Sequence, residues 1–119
     1  MRFVALKDLP LEQVSKSYTR RSLIGDTEMI SWATLKTGAH GKAHHHVHEQ
    51  AFWIMKGRIK FRIEKEFRTC VAGDLVLVAP NEEHEVWCEE ECDFVTMLSP
   101  VRQDLLPGAG PPPHMMHDK

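Results

Sequence analysis

Apolar and polar residues alternate along much of the chain, and this pattern predicts β-strands. The clearest run covers residues 58–64, in which Ile59, Phe61 and Ile63 share one face and charged residues occupy the other. Further strands are predicted at residues 28–36, 67–71, 75–78, 85–88 and 94–98. Several short strands separated by Gly and Pro turns indicate a single all-β sandwich or barrel, and helix signals are weak.

Three segments carry specific structural expectations. Residues 28–36 mix aromatic and β-branched side chains, which predicts a half-buried strand with Ile30, Trp32 and Thr34 on one face. The continuous apolar run LVLV at residues 75–78 predicts a strand buried on both faces. The acidic run at residues 89–91 falls between two predicted strands and is interpreted as a solvated hairpin loop.

Length and charge limit the classes of function. A chain of 119 residues supports one domain with one modest core. The net charge of -2 gives no electrostatic basis for binding nucleic acid. No apolar run approaches the length of a membrane span, and the N-terminus does not resemble a secretory signal. The three cysteines, Cys70, Cys88 and Cys92, are an odd count and are expected to be reduced thiols in the cytoplasm.

The composition changes only near the C-terminus. From Pro107 the sequence reads PGAGPPPHMMHDK, which indicates a flexible, Pro-rich tail over residues 107–119. The predicted folded domain therefore covers residues 1–106. Residues 101–106 are interpreted as a single helical turn.

Histidine is the unusual component of the composition. The chain has eight histidines, and five of them fall within nine residues: His40, His44, His45, His46 and His48. On an extended chain alternate residues share a face, so His44 and His46 point the same way. His84 follows a different predicted strand. Imidazoles from separate strands of a barrel can enclose one metal ion, so this spacing predicts a metal site.

Two spaced motifs resemble those of the cupin superfamily. The first reads Gly38-x5-His44-x-His46-x3-Gln50-x6-Gly57, with every spacing met. The second reads Gly73-x5-Ala79-x-Asn81-x2-His84-x3-Cys88, with the spacing intact but with Ala79, Asn81 and Cys88 at positions that usually carry Pro, Gly and Asn. The resemblance implies a double-stranded β-helix, or jelly-roll barrel. It also implies a metal held by four residues: His44, His46, Gln50 and His84.

The fourth ligand has a competitor in the sequence. Glu49 is a carboxylate next to Gln50, and the spacing to Gly57 favours the amide. A strand that starts at Gln50 would send Glu49 to the opposite face. The remaining histidines of the cluster, His40 and His45 with His48, are expected at the surface.

The expected ligand set is neutral, with three imidazoles and one amide oxygen. A bound divalent ion would keep its full charge and would polarise a substrate oxygen strongly. Nitrogen and oxygen donors without a thiolate suit Mn, Fe, Co, Ni and Zn about equally well. Four protein ligands on a six-coordinate ion also leave positions open for a small molecule.

Among small cupins, the sequence is most similar to the pectin-degradation family, which linearises unsaturated uronates. Five residues match its site motif H-x-H-P-H-E-Q: His44, His46, His48, Glu49 and Gln50. Three residues match a later segment: Pro100, Arg102 and Asp104. Thr96 stands at the position of the family's acid/base aspartate and cannot transfer protons as a carboxylate does. Asp93 could replace the missing acid only from the same face of the strand, and alternation directs it to the face opposite Thr96.

Arg102 has two interpretations. Its guanidinium can bind a substrate carboxylate through a bidentate pair of hydrogen bonds, which would suit a sugar acid. Alternatively, it pairs with Asp104 at the surface. The sequence favours neither.

The predicted function is a small metalloenzyme with isomerase- or lyase-type chemistry on a sugar acid or carbonyl compound. A metal-dependent dioxygenase is the first alternative, and a non-catalytic module that binds a small ligand is the second. The expected partners are a small molecule and a second copy of the chain, because single-domain cupins usually dimerise through an exposed sheet.

Overall fold

The computed structural model describes residues 3–101 of the chain. A 3₁₀ turn at Leu6–Asp8 precedes eight strands: β1 (Glu12–Ser15), β2 (Tyr18–Ile24), β3 (Met29–Leu35), β4 (His40–His44), β5 (Glu49–Ile63), β6 (Glu66–Val71), β7 (Leu75–Val78) and β8 (His84–Ser99). Arg102, residues 102–106 of the turn predicted at 101–106, the domain boundary and the tail at 107–119 lie outside the described residues. The all-β prediction is confirmed.

Two long antiparallel strands, β5 and β8, organise the sheet. The first half of β5 pairs with the second half of β8, and the second half of β5 pairs with the first half of β8. At one end of this pair, β7 pairs with β5 and β3 pairs with β8, and β2 and β1 follow β3 outward. At the other end, β6 pairs with β5 and β4 pairs with β8. The sheet therefore has two halves that share their two central strands.

The two halves fold onto each other where β5 and β8 bend. The register between these strands is irregular from Ile54 to Ile59, which is typical of bulges that bend a sheet. Gly57 lies in this segment with a φ of +87°. A Cβ atom on Gly57 would be 2.2 Å from the backbone oxygen of Glu91 and 2.7 Å from Cα of Cys92. Only glycine permits so close a crossing in this backbone conformation.

The core lies between the two halves. Phe61 from one half contacts Phe52 from the other at a ring-centroid distance of 5.0 Å, and Phe94 lies 5.7 Å from Phe52. Ile59 and Phe61 are buried, and Ile63 packs against the same cluster, as the alternation predicts. Inward residues of both halves thus form one apolar core.

The prediction for residues 75–78 was wrong in one respect. The segment is strand β7, but Leu75 and Leu77 are 74% and 62% exposed. Only the inward residues Val76 and Val78 pack against the core. A continuous apolar run does not distinguish burial on two faces from an apolar outer surface.

The prediction of a hairpin loop at residues 89–91 was also wrong. These glutamates are exposed, but they lie within β8, which continues through them without a break. Arg58 on β5 forms ion pairs with Glu89 and Glu90 at 3.2 and 2.9 Å. The acidic run therefore marks the bend of one long strand and not a turn between two strands.

The three cysteines are buried as free thiols. The sulfur atoms of Cys88 and Cys92 lie 3.4 Å apart, on either side of the bend in β8. This contact lowers the pKa of Cys88, and the same contact together with burial raises the pKa of Cys92. The raised pKa keeps the Cys92 thiol protonated. No helix within residues 3–101 is long and apolar enough to cross a membrane.

Replacing Gly57 tests whether the crossing of β5 and β8 requires glycine. We expect Gly57→Ala to lower the free energy of unfolding by at least about 3 kcal/mol, because the new methyl group meets backbone atoms in addition to the strain of a positive φ. Gly73→Ala is the matched control, since Gly73 has a φ of +95° but nothing within 4 Å of the new Cβ. Its expected loss is about 1–2 kcal/mol. Urea denaturation measures both, and equal losses would contradict the steric explanation.

Candidate metal centre

Three imidazoles converge where β4 meets β8. His44 ends β4 and pairs directly with His84, the first residue of β8, and His46 follows two residues later. The ring centroids are 4.2 Å apart for His44 and His84, 5.0 Å for His46 and His84, and 5.5 Å for His44 and His46. One nitrogen from each ring lies within 4.8 Å of the other two.

A backbone carbonyl orients each of these rings. The Nδ1 atom of His44 donates to the carbonyl of Lys42 at 2.8 Å, and that of His84 donates to Glu82 at 2.9 Å. The Nδ1 atom of His46 donates to the carbonyl of His48 at 2.9 Å. Because a carbonyl only accepts hydrogen bonds, the proton of each neutral ring is held at Nδ1. An imidazole that is protonated at Nδ1 binds a metal ion through Nε2.

Gln50 brings an amide oxygen to the same place. Its side chain points inward from β5 and is 9% exposed, whereas that of Glu49 is exposed on the opposite face. The Nε2 atom of Gln50 donates to Oγ1 of Thr96 at 3.0 Å. This bond directs Oε1 of the amide to a point 3.1 Å from Nε2 of His46. Two electron-pair donors thus face each other, an arrangement that a shared cation stabilises.

The donor set fits a divalent metal ion of the first transition series. Two ligands of one such ion, each at about 2.0–2.1 Å, are at most about 4.2 Å apart. The imidazole nitrogens lie within 4.8 Å of one another, so only small side-chain movements separate this arrangement from coordination. Three nitrogens and one oxygen, without thiolate, suit Mn, Fe, Co, Ni or Zn.

The turn of the second sequence motif holds the first motif in place. Asn81 adopts a φ of +66°, as expected for a residue that replaces a turn glycine. Its backbone N–H donates to the carbonyl of His46 at 2.7 Å. The two segments that carry the imidazoles are therefore tied together by a direct backbone hydrogen bond.

The other histidines of the cluster have different environments. His45 is exposed, as expected. His40 was expected at the surface, but it is partly buried, forms a hydrogen bond with Glu85 at 2.6 Å and stacks on Trp87. His48 was expected at the surface, but it is partly buried and its ring lies 5.4 Å from that of His46. The motif H-x-H-P-H-E-Q contained this signal, because His48 matches its third histidine.

Thr96 and Asp93 occupy opposite faces of β8. Thr96 is 5% exposed and lies beside Gln50, so the position of the expected acid/base group does face the site. Asp93 is directed away from it and accepts a hydrogen bond from Thr34 at 2.7 Å. The out-of-phase placement of Asp93 is confirmed, and Asp93 does not substitute for a carboxylate at position 96.

Comparison with known proteins agrees with this architecture. The model of the cupin domain family matches residues 31–98, which make up more than half of the chain. The chain belongs to the cupin family. No curated protein sequence matches it significantly.

Solved cupin structures share its fold at low sequence identity. An RmlC-like cupin from Shewanella frigidimarina superimposes with a TM-score of 0.84 and 22% identity, over 89% of this chain and 96% of that one. KdgF from Halomonas sp. gives a TM-score of 0.82 and 22% identity, over 89% and 99%. The oxalate decarboxylase of Bacillus subtilis, which has Mn(II) centres, gives a TM-score of 0.72 and 16% identity, over 82% of this chain and 29% of that one. At these identities the likeness establishes the fold alone.

Changing Thr96 tests whether it orients the amide of Gln50. We expect Thr96→Val to weaken binding of a divalent metal by about 10-fold, because the amide loses the acceptor that turns its oxygen towards His46. Thr96→Ser keeps the hydroxyl and should retain nearly all of the affinity. Isothermal titration with Mn²⁺ or Zn²⁺ measures both variants. Wild-type affinity in Thr96→Val would contradict the orienting role.

Proposed function

We propose that this cupin is a metal-dependent enzyme acting on a small oxygen-rich molecule, in an isomerase- or lyase-type reaction. A divalent ion held by His44, His46, His84 and Gln50 would act as a Lewis acid on an oxygen atom of the substrate. The observation that carries the proposal is the convergence of three imidazoles whose Nδ1 atoms are all occupied by backbone carbonyls.

The protein's own residues supply orientation and charge. The three carbonyl bonds hold the Nε2 atoms towards one point, so little ordering remains to be done when a ligand binds. The amide of Gln50 contributes an oxygen without a negative charge. A site with a neutral donor set favours anionic or strongly polar substrates, because the charge of a bound cation is not cancelled by the protein.

The proposed substrate class is a sugar acid or a related carbonyl compound. The match of the segment from His44 to Gln50 to the family that linearises unsaturated uronates supports it. Arg102 would bind the substrate carboxylate. Thr96 cannot carry a proton as an aspartate does, so the proposed reaction differs from that family's in its proton transfer. We place the enzyme in the cytoplasm, since its buried cysteines are free thiols.

Metal analysis tests the site directly. We expect the purified protein to bind one equivalent of Mn²⁺, Fe²⁺, Co²⁺, Ni²⁺ or Zn²⁺, and His84→Ala to weaken binding at least about 100-fold. His45→Ala is the matched control, because His45 lies between two proposed ligands in sequence but is exposed. Equal affinity of His84→Ala and the wild type would refute the site, as would equal losses in both variants.

Oxygen dependence separates the proposed reaction from a dioxygenase. We expect the metal-loaded protein to convert a member of a panel of unsaturated uronates and other keto acids at the same rate under nitrogen and in air. An oxygen electrode measures oxygen consumption, and a spectrophotometric assay measures the rate of substrate conversion. Turnover that stops under nitrogen and consumes oxygen in air would support the dioxygenase alternative instead.

A further inference from the structure

Cys88 and Cys92 form a pair of buried thiols that the chemistry proposed for the metal centre does not use. Their sulfur atoms lie 3.4 Å apart, and the two residues are 3% and 0% exposed. In a straight strand, residues four apart are separated by about 13 Å. The sulfurs meet because β8 bends between them, where its register on β5 is irregular from Cys88 to Phe94. The contact is therefore a property of the bend.

Different neighbours hold the two cysteines. Cys88 pairs with Ile59 on β5, and its backbone N–H donates to the carbonyl of Ala39 at 2.9 Å. Cys92 pairs instead with Leu35 on β3. Each side of the bend is thus fixed by its own backbone hydrogen bonds, and the two thiols are held next to each other before any reaction.

The two sulfur atoms need only a small movement to form a bond. A disulfide bond is about 2.0 Å long, so the sulfurs have to approach each other by about 1.4 Å. The third cysteine, Cys70, lies on β6 and is not part of this contact. The structure therefore favours one pairing of the three cysteines, between Cys88 and Cys92.

The two thiols differ in reactivity. Their mutual contact lowers the pKa of Cys88, whereas the same contact together with burial raises the pKa of Cys92. The thiolate is the form of cysteine that attacks an oxidant. Cys88 is therefore the nucleophile of the pair, and Cys92 is a protonated thiol beside it. Redox-sensitive cysteines often have such a second, resolving cysteine next to them.

Cys88 also has access to small molecules. It lines a cavity of about 480 Å³ together with Gly38, Lys60 and Trp87, and Cys92 is not part of that lining. A water molecule occupies about 30 Å³ of liquid, so the cavity has ample room for an oxidant of the size of hydrogen peroxide. A peroxide that enters the cavity meets Cys88 before it meets Cys92.

We propose that Cys88 and Cys92 are a peroxide-sensitive pair that closes a reversible disulfide across the bend of β8. The Cys88 thiolate attacks one oxygen of hydrogen peroxide, the O–O bond breaks, and the departing hydroxide takes up the proton that Cys88 had released. The sulfur of Cys92 then attacks the sulfenic acid at Cys88. The S–O bond breaks as the S–S bond forms, and the oxygen leaves as water with the proton of Cys92. The pair loses two electrons, and one peroxide becomes two waters.

The disulfide fixes the crossing of β5 and β8. Cys92 lies against Gly57, since a Cβ atom on Gly57 would be 2.7 Å from Cβ of Cys92. The cross-link closes a ring of five residues at this point. It reduces the freedom of the unfolded chain and so stabilises the oxidised protein. The proposal does not depend on the reaction proposed for the metal centre.

Thiol mapping after oxidation tests the pairing. The purified chain is treated with hydrogen peroxide, its remaining thiols are alkylated in denaturant, and it is cleaved after glutamate. Glu89, Glu90 and Glu91 separate Cys88 from Cys92 in sequence, so their two peptides stay joined only through a disulfide. We expect this linked pair, with Cys70 alkylated, and its separation by dithiothreitol. Absence of the linked pair, or a disulfide that includes Cys70, would overturn the proposal.

Single variants test the role of each thiol. Cys92→Ala has no resolving thiol, so we expect dimedone to trap a sulfenic acid at Cys88. In Cys88→Ala we expect no dimedone adduct at Cys92, because that thiol is protonated and does not line the cavity. Cys70→Ala is the matched control and should form the disulfide as the wild type does. Circular dichroism checks that each variant is folded. An adduct on Cys92 and none on Cys88 would contradict the assignment of the nucleophile.

Urea denaturation tests the consequence for stability. We expect peroxide to raise the midpoint of unfolding of the wild type by about 1–2 M, and dithiothreitol to reverse this shift. Peroxide also oxidises methionine, so Cys88→Ala treated in the same way is the control and should show no increase. An unchanged midpoint in wild-type protein that carries the disulfide would show that the cross-link does not stabilise the bend.

Discussion

The crossing of β5 and β8 at Gly57 is the constraint on which the rest of the structure depends. Both strands serve both halves of the sheet, so the bend at this crossing sets how the halves face each other. The same two strands carry Gln50 and His84 to the interior. If the crossing opened, the core and the candidate metal centre would be disturbed together. A residue with no side chain therefore governs the positions of residues that carry the chemistry.

The candidate metal centre places polar groups in the partly buried interior of a small barrel. Buried imidazoles and amides are unfavourable unless their hydrogen-bonding groups are satisfied. Here backbone carbonyls bond the Nδ1 atoms, and Thr96 bonds the amide of Gln50. With these bonds in place, one nitrogen of each ring and the oxygen of the amide are directed to one point. The arrangement that stabilises the polar groups is thus the arrangement that a metal ion needs.

Spacing in the sequence predicted the fold class, and it brought together the histidines that the structure places side by side. This worked because glycines at positive φ, such as Gly57 and Gly73, can be recognised as turn or bulge positions from their spacing. The exposure of Leu75 and Leu77 could not be predicted, since the sequence of an apolar strand is the same whether its side chains face a core or the outer surface. The strand through Glu89 was missed because exposed acidic residues suit a bulge as well as a loop. The half-burial of His48 depends on the path of its loop, which alternation does not describe.

The carbonyl partners of the three imidazoles have a further consequence. Each lies two residues from the histidine that it orients, at Lys42, His48 and Glu82. The orientation of each ring is therefore set within its own short stretch of backbone, whereas the amide of Gln50 is oriented by Thr96 on a different strand. The three imidazoles thus form a locally preorganised set, and the amide is the ligand whose placement depends on the pairing of distant strands in the barrel.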